Sequence, residues 1–368
     1  MNKKYEDRLL QLLKEKQEMT EYFGAPLLVK NLPDCDEKGA MDPRLYQNMK
    51  KQLQLLRWIP SKFMKMDVSE KGIKKLREMF NAKKSVSCVE STIYTGEQKV
   101  KAEDGFQISV RIYKDRKESE NKPVLLYIHG GGFFGGSREV VDESVKMLVE
   151  KTGICVVSPE YRLAPENPYP TGHRDCYDVL KWIYNNSVSF GGDKNHIFVA
   201  GDSAGGNLAQ YCVTCDREEE QNRIKGQLLL YPTLNMAGVQ DTYFNPDMEK
   251  FDMIPGQKRG LSKMIGMFGG MTSGLETILG TKDTKNDYLN PYTREAGNNP
   301  PTFLAVGEHD FLKMETLGYG AKLYKAGVET KMVLYKGFGH AFFDNTGVYP
   351  QCEDCIEEMG KFILEHCN

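Results

Sequence analysis

The chain has 368 residues, 40% of them hydrophobic and 27% charged, which provides for a sizeable buried core and argues against wholesale disorder. Its 49 Lys and Arg residues against 51 Asp and Glu residues give a net charge of −2, which argues against a general nucleic-acid or membrane-surface binder. No apolar run approaches the roughly 18 residues of a membrane-spanning helix, and charges interrupt every apolar stretch of residues 1–16. We therefore expect no nucleic-acid partner, no stable membrane insertion and, with nine scattered cysteines, a cytoplasmic location.

The N-terminal part, residues 1–85, is predicted to be helical. Three segments, about 9–19, 45–59 and 68–80, repeat their apolar residues near the 3.6-residue period of a helix. The signal for β-strands is weak throughout this part. We expect an N-terminal helical segment that is distinct from a second domain over 86–368.

The pattern changes near residue 86 and becomes that of an α/β protein. Two alternating stretches, 86–94 and 106–113, predict antiparallel strands at a sheet edge. Short apolar runs then alternate with helical patterns, which predicts parallel strands with helices on both faces. The predicted strands are 124–129, 154–159, 197–201, 227–232, 302–307 and 330–335. The predicted helices are about 138–152, 172–187, from 204 onward, 314–326 and 352–366.

The segment of about 235–300 is too long for a plain loop in a compact domain, and it is rich in Met, Phe and Gly. One interpretation is a helical excursion with its own small core. The other is a mobile lid whose adaptable methionines cover a site. We favour the lid, because the segment follows the carboxyl end of a predicted parallel strand, the edge where open α/β sheets bind ligands.

A G-x-S-x-G motif, formed by Gly201, Ser203 and Gly205, joins a predicted strand directly to a predicted helix. A nucleophile on such a sharp turn needs a strained backbone and small residues two positions before and after it. The serine would then project above the sheet beside a helix N-terminus, whose dipole favours an anion. Ser203 is the candidate nucleophile.

A glycine-rich segment, 129–136, follows the strand before it and has three interpretations. It satisfies G-x-G-x-x-G with the acidic Glu160 after the next strand, which is typical of a dinucleotide site. It could also be a plain strand-to-helix turn, or an oxyanion hole whose glycine N–H groups point at a developing negative charge. We favour the oxyanion hole, because the bulky Phe133 and Phe134 occupy the stretch that should open a dinucleotide-binding helix.

A serine nucleophile needs a base, and the base needs an acid to orient it. His340 follows the last predicted strand, and its loop should emerge at the same sheet edge as Ser203. Asp310 is the preferred acid, with Glu308 as its rival. His309 is an alternative base, but a base and an acid adjacent in sequence would struggle to point at one another.

Two C-x-x-C pairs raise the question of a metal. Cys212 with Cys215, and Cys352 with Cys355, fall in segments predicted to be helical, where residues i and i+3 share a face. Zinc sites of this kind hold each pair on a tight turn instead. We expect structural cysteines and no metal site. In YRLAPE (161–166), the four-residue spacing of Arg162 and Glu166 predicts an ion pair that holds the loop.

Five ordered motifs, HGGGF, YRLAPE, GDSAGG, GEHDFL and GFGHAF, resemble the hormone-sensitive-lipase-like branch of the α/β-hydrolases, which includes many bacterial carboxylesterases and acetyl esterases. The resemblance covers about residues 86–368. It implies an α/β-hydrolase fold whose helical cap is built from residues 1–85 and an insertion at about 235–290. The site residues that it implies are a triad of Ser203, Asp310 and His340, an oxyanion hole of Gly131, Gly132 and the N–H of Ala204, and a support of that loop by His129 and Gly130.

The expected activity is hydrolysis of short- to medium-chain acyl esters, such as acetyl esters, with a small-molecule ester as partner and no cofactor. Phe133 and Phe134 are expected to wall the acyl or alcohol pocket. Two alternatives stay open: an amidase or formamidase on the same triad, and a non-catalytic binding protein of the kind represented by plant hormone receptors of this branch. The receptor is disfavoured because no triad residue is missing. A homodimer is possible through the edge strand expected near the C-terminus.

Overall fold

The computed structural model of the protein describes residues 3–58, 67–115, 120–270 and 272–367, without the side chains of 272 and 273. Its core is a ten-stranded sheet in the order β1-β2-β10-β9-β8-β7-β5-β6-β4-β3. The strands are β1 (Gln17–Tyr22), β2 (Ala25–Lys30), β3 (Ile93–Lys101), β4 (Gln107–Asp115), β5 (Lys122–Ile128), β6 (Cys155–Glu160), β7 (Gly192–Asp202), β8 (Ile224–Leu230), β9 (Thr302–Gly307) and β10 (Thr330–Tyr335).

Helices cover both faces of this sheet and form a layer above its carboxyl edge. They are α1 (Asp7–Glu15), α2 (Pro43–Leu56), α3 (Glu70–Phe80), α4 (Arg138–Thr152), α5 (Thr171–Asn186), α6 (Ala204–Glu218), α7 (Pro255–Gly269), α8 (Thr272–Leu279), α9 (Lys313–Lys325) and α10 (Pro350–Glu365). The central strands are buried along almost their whole length, as expected where helices cover both sides. The predicted α/β architecture is confirmed.

Strands β5 to β10 pair in parallel, apart from the antiparallel contact of β6 with β4. The antiparallel edge strands β3 and β4 are joined by a turn at Asp104 and Gly105, as predicted. The boundary predicted for β3 is wrong, because the strand begins at Ile93 and its register pairs Val100 with Ile108. The tight turn therefore sets the register in which β3 pairs with β4. The alternation of apolar and polar residues in 86–94 does not set it.

The prediction of an all-helical N-terminal part is wrong for residues 17–30. Strands β1 and β2 form a hairpin there, and β2 pairs in parallel with β10. Ala25, Leu27 and Val29 alternate inward into the core, where their side chains are almost completely buried. Because β2 covers β10, the last strand is not the sheet edge through which a dimer was expected to form.

The predicted helices of 45–59 and 68–80 are present as α2 and α3, while residue 59 lies outside the described residues. The excursion after β8 contains α7 and α8. Helix α7 packs on α2 through a small hydrophobic cluster that is separate from the main core and consists of Met41, Leu53, Leu56, Leu261 and Met264. The two segments therefore meet above the sheet.

Both C-x-x-C pairs lie inside helices, α6 and α10, as predicted. All nine cysteines are free thiols. No group of three or more metal-ligating side chains is found in the described part of the chain. Within the same residues, no helix has both the length and the apolar character needed to cross a membrane.

Candidate active site

Ser203 lies on the turn between β7 and α6. Its φ of +54° and ψ of −118° are strained values for a residue with a side chain, and they cluster at functional sites in proteins. The turn is held by a hydrogen bond from the Ser203 N–H to the Leu230 carbonyl oxygen (2.9 Å). The adjoining segments thus fix the serine where the strand ends.

Close backbone contacts explain the two glycines of the motif. A Cβ atom on Gly201 would lie 2.2 Å from the Gly205 carbonyl oxygen, and one on Gly205 would lie 2.1 Å from that of Ile128. Real Cβ atoms do not approach backbone oxygen atoms so closely. Since Ile128 ends β5, Gly205 allows the serine turn to lie directly against the start of the glycine-rich segment.

The structure brings Ser203, His340 and Asp310 together from three different loops. His340 Nε2 lies 2.9 Å from Ser203 Oγ, and His340 Nδ1 lies 3.0 Å from each carboxylate oxygen of Asp310. The carboxylate requires a proton on Nδ1, which leaves Nε2 to accept the serine hydroxyl proton. The rings of Tyr231 and Phe311 flank the imidazole, with centroids 5.0 and 4.6 Å away.

Glu308 and His309, the alternative acid and the alternative base, have other hydrogen-bond partners. Glu308 accepts hydrogen bonds from Lys336 Nζ (2.7 Å) and the Gly337 N–H (2.9 Å). His309 is buried, and its Nε2 donates to the carbonyl oxygen of Asp252 (3.1 Å). Burial lowers the pKa of the His309 imidazole, which favours its neutral form. Neither side chain contacts Ser203.

The glycine loop passes beside the serine with a backbone that favours glycine, since φ is +119° at Gly131 and +63° at Gly132. The N–H groups of both residues donate to no protein atom among the described residues. Ala204 is the first residue of α6, where backbone N–H groups also have no partner within the helix. The glycine loop and the turn at Ser203 therefore carry three backbone donors that have no partner among the described residues.

His129 and Gly130 support this loop. His129 Nδ1 donates to the Gly130 carbonyl oxygen (2.8 Å), and its ring stacks on Tyr161 with centroids 4.4 Å apart. Burial lowers the pKa of the His129 imidazole, which suits packing rather than proton transfer. The Gly130 N–H donates to Asp202 Oδ1 (3.1 Å).

Asp202 was not identified from the sequence, although it directly precedes the serine in the motif. Its buried carboxyl group accepts hydrogen bonds from the Gly130 N–H and from the Tyr127 hydroxyl (3.2 Å). Burial, followed by the nearby charge of Asp344, raises its pKa to about 7. The sequence feature that could have identified Asp202 is the position of an acidic residue at the end of a buried strand.

A cavity of about 590 Å³ opens over the serine, within the usual range of small-molecule sites. Its floor is formed by the glycine loop, Ser203 and His340. Its walls come mostly from the cap helices and the loop after β10, and include Met49, Phe80, Met264, Phe268, Leu275, Phe311 and Phe338. Both parts of the proposed cap therefore contribute to the wall.

Of the two phenylalanines expected in the pocket, only Phe134 lines this cavity. The expectation for Phe133 is wrong, because its positive φ of +69° turns the side chain away from the serine. The ring stacks on His173 with centroids 5.6 Å apart. The carbonyl oxygen of Phe133 accepts a hydrogen bond from the Ala164 N–H (3.0 Å).

The expected pairing of Arg162 with Glu166 is also wrong. Arg162 binds Asp175 (2.7 Å) and Asp104 (2.8 Å), whereas Glu166 binds Arg77 of α3 (2.7 Å). A spacing of four residues brings side chains together only on a helix, and residues 161–166 are not helical. Each charge instead finds a partner on another element.

A serine on a sharp strand-to-helix turn, above a mostly parallel sheet with helices on both faces, defines the α/β-hydrolase fold. A sequence model of that fold matches residues 125–344. Carboxylesterase NlhH of Mycobacterium tuberculosis is 31% identical over 259 residues, which are 69% of this chain and 77% of the relative. An α/β hydrolase of Acanthamoeba polyphaga mimivirus is 31% identical over 235 residues, or 64% of this chain and 65% of the viral protein.

Among solved structures, the hyperthermophilic esterase of the archaeon Pyrobaculum calidifontis superimposes with a TM-score of 0.71 at 25% identity. The match covers 89% of this chain and 99% of that protein. The chain belongs to the α/β-hydrolase family, in its hormone-sensitive-lipase-like branch, and is an enzyme of the carboxylesterase class.

Proposed function

We propose that this enzyme hydrolyses short- to medium-chain acyl esters through an acyl-enzyme intermediate on Ser203. One observation carries the proposal: His340 lies between Ser203 Oγ and the Asp310 carboxylate, at 2.9 and 3.0 Å, on the floor of a cavity. This is the geometry by which a histidine can take a proton from the serine while a carboxylate holds the ring.

In the first half of the reaction, Ser203 Oγ attacks the ester carbonyl carbon and its proton passes to His340 Nε2. The oxygen of the tetrahedral intermediate receives hydrogen bonds from the N–H groups of Gly131, Gly132 and Ala204. Collapse of the intermediate breaks the bond to the alcohol, which takes the proton from His340. Asp310 stays ionised and stabilises the transient imidazolium.

In the second half, water attacks the acyl carbon of the acylated Ser203 and gives a proton to His340. The same three N–H groups bind the new oxyanion. Collapse releases the carboxylic acid and returns the proton to the serine oxygen. Every proton transfer is completed by residues of the chain, and the steps use no cofactor.

The cavity supports the expected size of the substrate. A volume of about 590 Å³ holds a small- to medium-sized ester, and apolar side chains form most of its wall. Residues 1–85 and about 235–290 act as the cap in this proposal, because α2, α3, α7 and α8 all contribute lining residues. The packing of this cap would limit the length of the acyl chain.

The test is turnover of p-nitrophenyl acetate, butyrate, octanoate and palmitate by the wild-type protein and by Ser203→Ala. We expect the rate to fall between octanoate and palmitate, and to decrease by about 10⁴-fold or more for every ester in the variant. Matched p-nitroanilides should react far more slowly than the esters. Faster turnover of the anilides would favour an amidase, and unchanged turnover by Ser203→Ala would contradict the proposal.

Phe134 offers a sharper test of the pocket. We expect Phe134→Ala to shift the preferred acyl chain towards longer esters, because it removes a ring from the cavity wall. Phe133→Ala is the matched control, since that ring lies outside this cavity. The measurement is kcat/KM across the same ester series. An equal shift in both variants would contradict the assignment of Phe134, and not Phe133, to the cavity wall.

A further inference from the structure

The charge of the whole chain is close to balanced, but its distribution over the cap is not. Helices α2 and α7 contain six basic side chains and no Asp or Glu. Exposed cations on these helices and at the end of α2 are Lys50, Lys51, Arg57, Lys258 and Arg259. None of the five forms an ion pair with a carboxylate of the described residues, whereas Arg111 on the sheet binds three carboxylates.

Two large apolar side chains lie among these cations. Leu55 is 64% exposed and Trp58 is 78% exposed. Lys51, Leu55 and Trp58 are spaced by four and three residues, which places them along one side of the helical turn. We call Lys50, Lys51, Leu55, Arg57, Trp58, Lys258 and Arg259 the basic cap face. Leaving two large apolar side chains in water costs free energy, which burial against a partner would recover.

Direct contacts hold the two halves of this face together. The Arg259 guanidinium carbon lies 5.7 Å from the centre of the Trp58 ring. Lys263 Nζ donates to the carbonyl oxygen of Arg57 (3.1 Å). A Cβ on Gly260 would lie 2.8 Å from the Leu53 carbonyl oxygen, so the helices are packed backbone to backbone there. These contacts place the basic side chains of α7 beside the exposed end of α2.

The same helices form a wall of the cavity above Ser203. Asn48, Met49 and Gln52 of α2 line it, as do Met264 and Phe268 of α7. The two helices that carry the basic cap face therefore also contribute lining residues to the cavity above Ser203. A surface that docks on this face would contact the same two helices that line the cavity.

We propose that the basic cap face docks on an anionic lipid surface. Cations attract such a surface, and tryptophan is the side chain most enriched where a membrane meets water. Leucine and tryptophan beside lysine and arginine form the amphipathic pattern of surface-bound helices. A nucleic acid would be held by the cations alone and gives no role to Leu55. Docking is peripheral and reversible, and it does not depend on the ester hydrolysis proposed above.

The experiment is co-sedimentation of the full chain with vesicles of phosphatidylcholine, with and without 30% phosphatidylglycerol, at low and at physiological salt. We expect binding to the anionic vesicles only, with an affinity that falls as the salt concentration rises. Lys51→Glu with Arg259→Glu should weaken that binding at least tenfold. Trp58→Ser should also weaken it, while the dependence on salt remains.

The matched control is Lys99→Glu with Lys101→Glu, which changes the net charge equally on exposed positions of the edge strand β3. It should bind anionic vesicles within about twofold of the wild type. Turnover of soluble p-nitrophenyl acetate should be unchanged in both double variants, because none of these side chains lines the cavity. Absence of wild-type binding, equal losses in the two double variants, or tighter binding to a DNA duplex than to the vesicles would overturn the proposal.

Discussion

The serine turn and the N-terminal hairpin both join segments that are distant in sequence, but they do so by different means. At the serine turn, Gly205 lets two backbones touch, because any Cβ there would strike Ile128. In the hairpin, Lys30 is buried between Asp354 (3.1 Å) and Glu358 (2.9 Å), which are 324 and 328 residues away. The first contact requires the absence of a side chain, and the short G-x-S-x-G motif is enough to predict it. The second requires partners that no local pattern contains.

The largest effect is expected at the acid of the serine site. Asp310→Asn should lower kcat by about 10⁴-fold, because an amide cannot hold the tautomer in which His340 Nε2 accepts the serine proton. Steady-state hydrolysis of p-nitrophenyl butyrate measures it.

Glu308→Gln is the control for that variant. The Glu308 carboxylate binds Lys336 and Gly337 but not His340, so activity should stay within a few-fold of the wild type. If Glu308→Gln abolished turnover and Asp310→Asn did not, the acid would be assigned to the wrong side chain.

The stability of the hairpin is expected to depend on the buried ammonium group of Lys30. Lys30→Met should lower the free energy of unfolding by about 3–5 kcal/mol, because it leaves the buried Asp354 carboxylate without a cationic partner among the described residues. Urea denaturation measures this value. In the remaining folded protein, kcat should change little, since Lys30 does not line the cavity.

Lys361→Met provides the comparison on the same carboxylate. Lys361 also binds Glu358 (3.3 Å), but its side chain is 56% exposed. Its loss should cost less than about 1 kcal/mol. If the two variants lost similar free energies of unfolding, burial would not explain the contribution of Lys30 to stability.

A substitution in the serine turn should lower the free energy of unfolding less than Lys30→Met does, but it should lower activity more. Gly205→Ala should lower the free energy of unfolding by about 1–3 kcal/mol through overpacking, and should reduce kcat by moving Ser203 relative to the glycine loop. Thermal unfolding and ester turnover measure the two effects.

Gly266→Ala in α7 is the matched glycine control. Nothing lies within 4 Å of its added Cβ, and alanine stabilises an exposed helix by about 0.5–1 kcal/mol. A Gly205→Ala protein with wild-type stability and activity would show that the serine turn tolerates separation from β5.

The smallest effect concerns the segment before α1. Glu353 is buried, which raises its pKa, but ion pairs with Lys151 (2.8 Å) and Lys3 (2.9 Å) and a hydrogen bond from Tyr5 outweigh burial and lower the pKa to about 2. A lowered pKa in the folded protein stabilises it above the ordinary value of about 4.3. That contribution is lost as the pH falls towards 2.

Glu353→Gln should therefore be less stable than the wild type at pH 7, and the difference should shrink as the pH falls from about 5 to 2. Urea denaturation at several pH values measures the difference. A difference that grew on acidification would contradict the assignment of these ion pairs.

Most of the sheet was predictable, because buried parallel strands form short apolar runs between helical patterns. The hairpin was not. Gln17–Tyr22 is almost wholly exposed and polar, and β2 buries Lys30 beside its apolar residues. Both become strands because β10 offers an open edge, and that edge is created only by the tertiary fold.

The site shows the same division. The sequence motifs placed Ser203, Asp310 and His340 on adjoining loops, and the structure brings them within hydrogen-bonding distance. Phe133 could not be placed from the sequence, because its direction depends on one positive φ within the glycine loop. Asp202 was overlooked because its partners, Tyr127 and Gly130, meet it only when β5 and β7 are neighbours.

The most direct test of the central claim is covalent labelling of the nucleophile by a fluorophosphonate, followed by intact mass and peptide mapping. We predict one adduct per chain, located on Ser203, with loss of esterase activity in proportion to labelling. Ser203→Ala should not be labelled, and His340→Ala should be labelled much more slowly. A folded wild-type protein that is not labelled, or one that still hydrolyses esters when Ser203 is fully modified, would contradict the account.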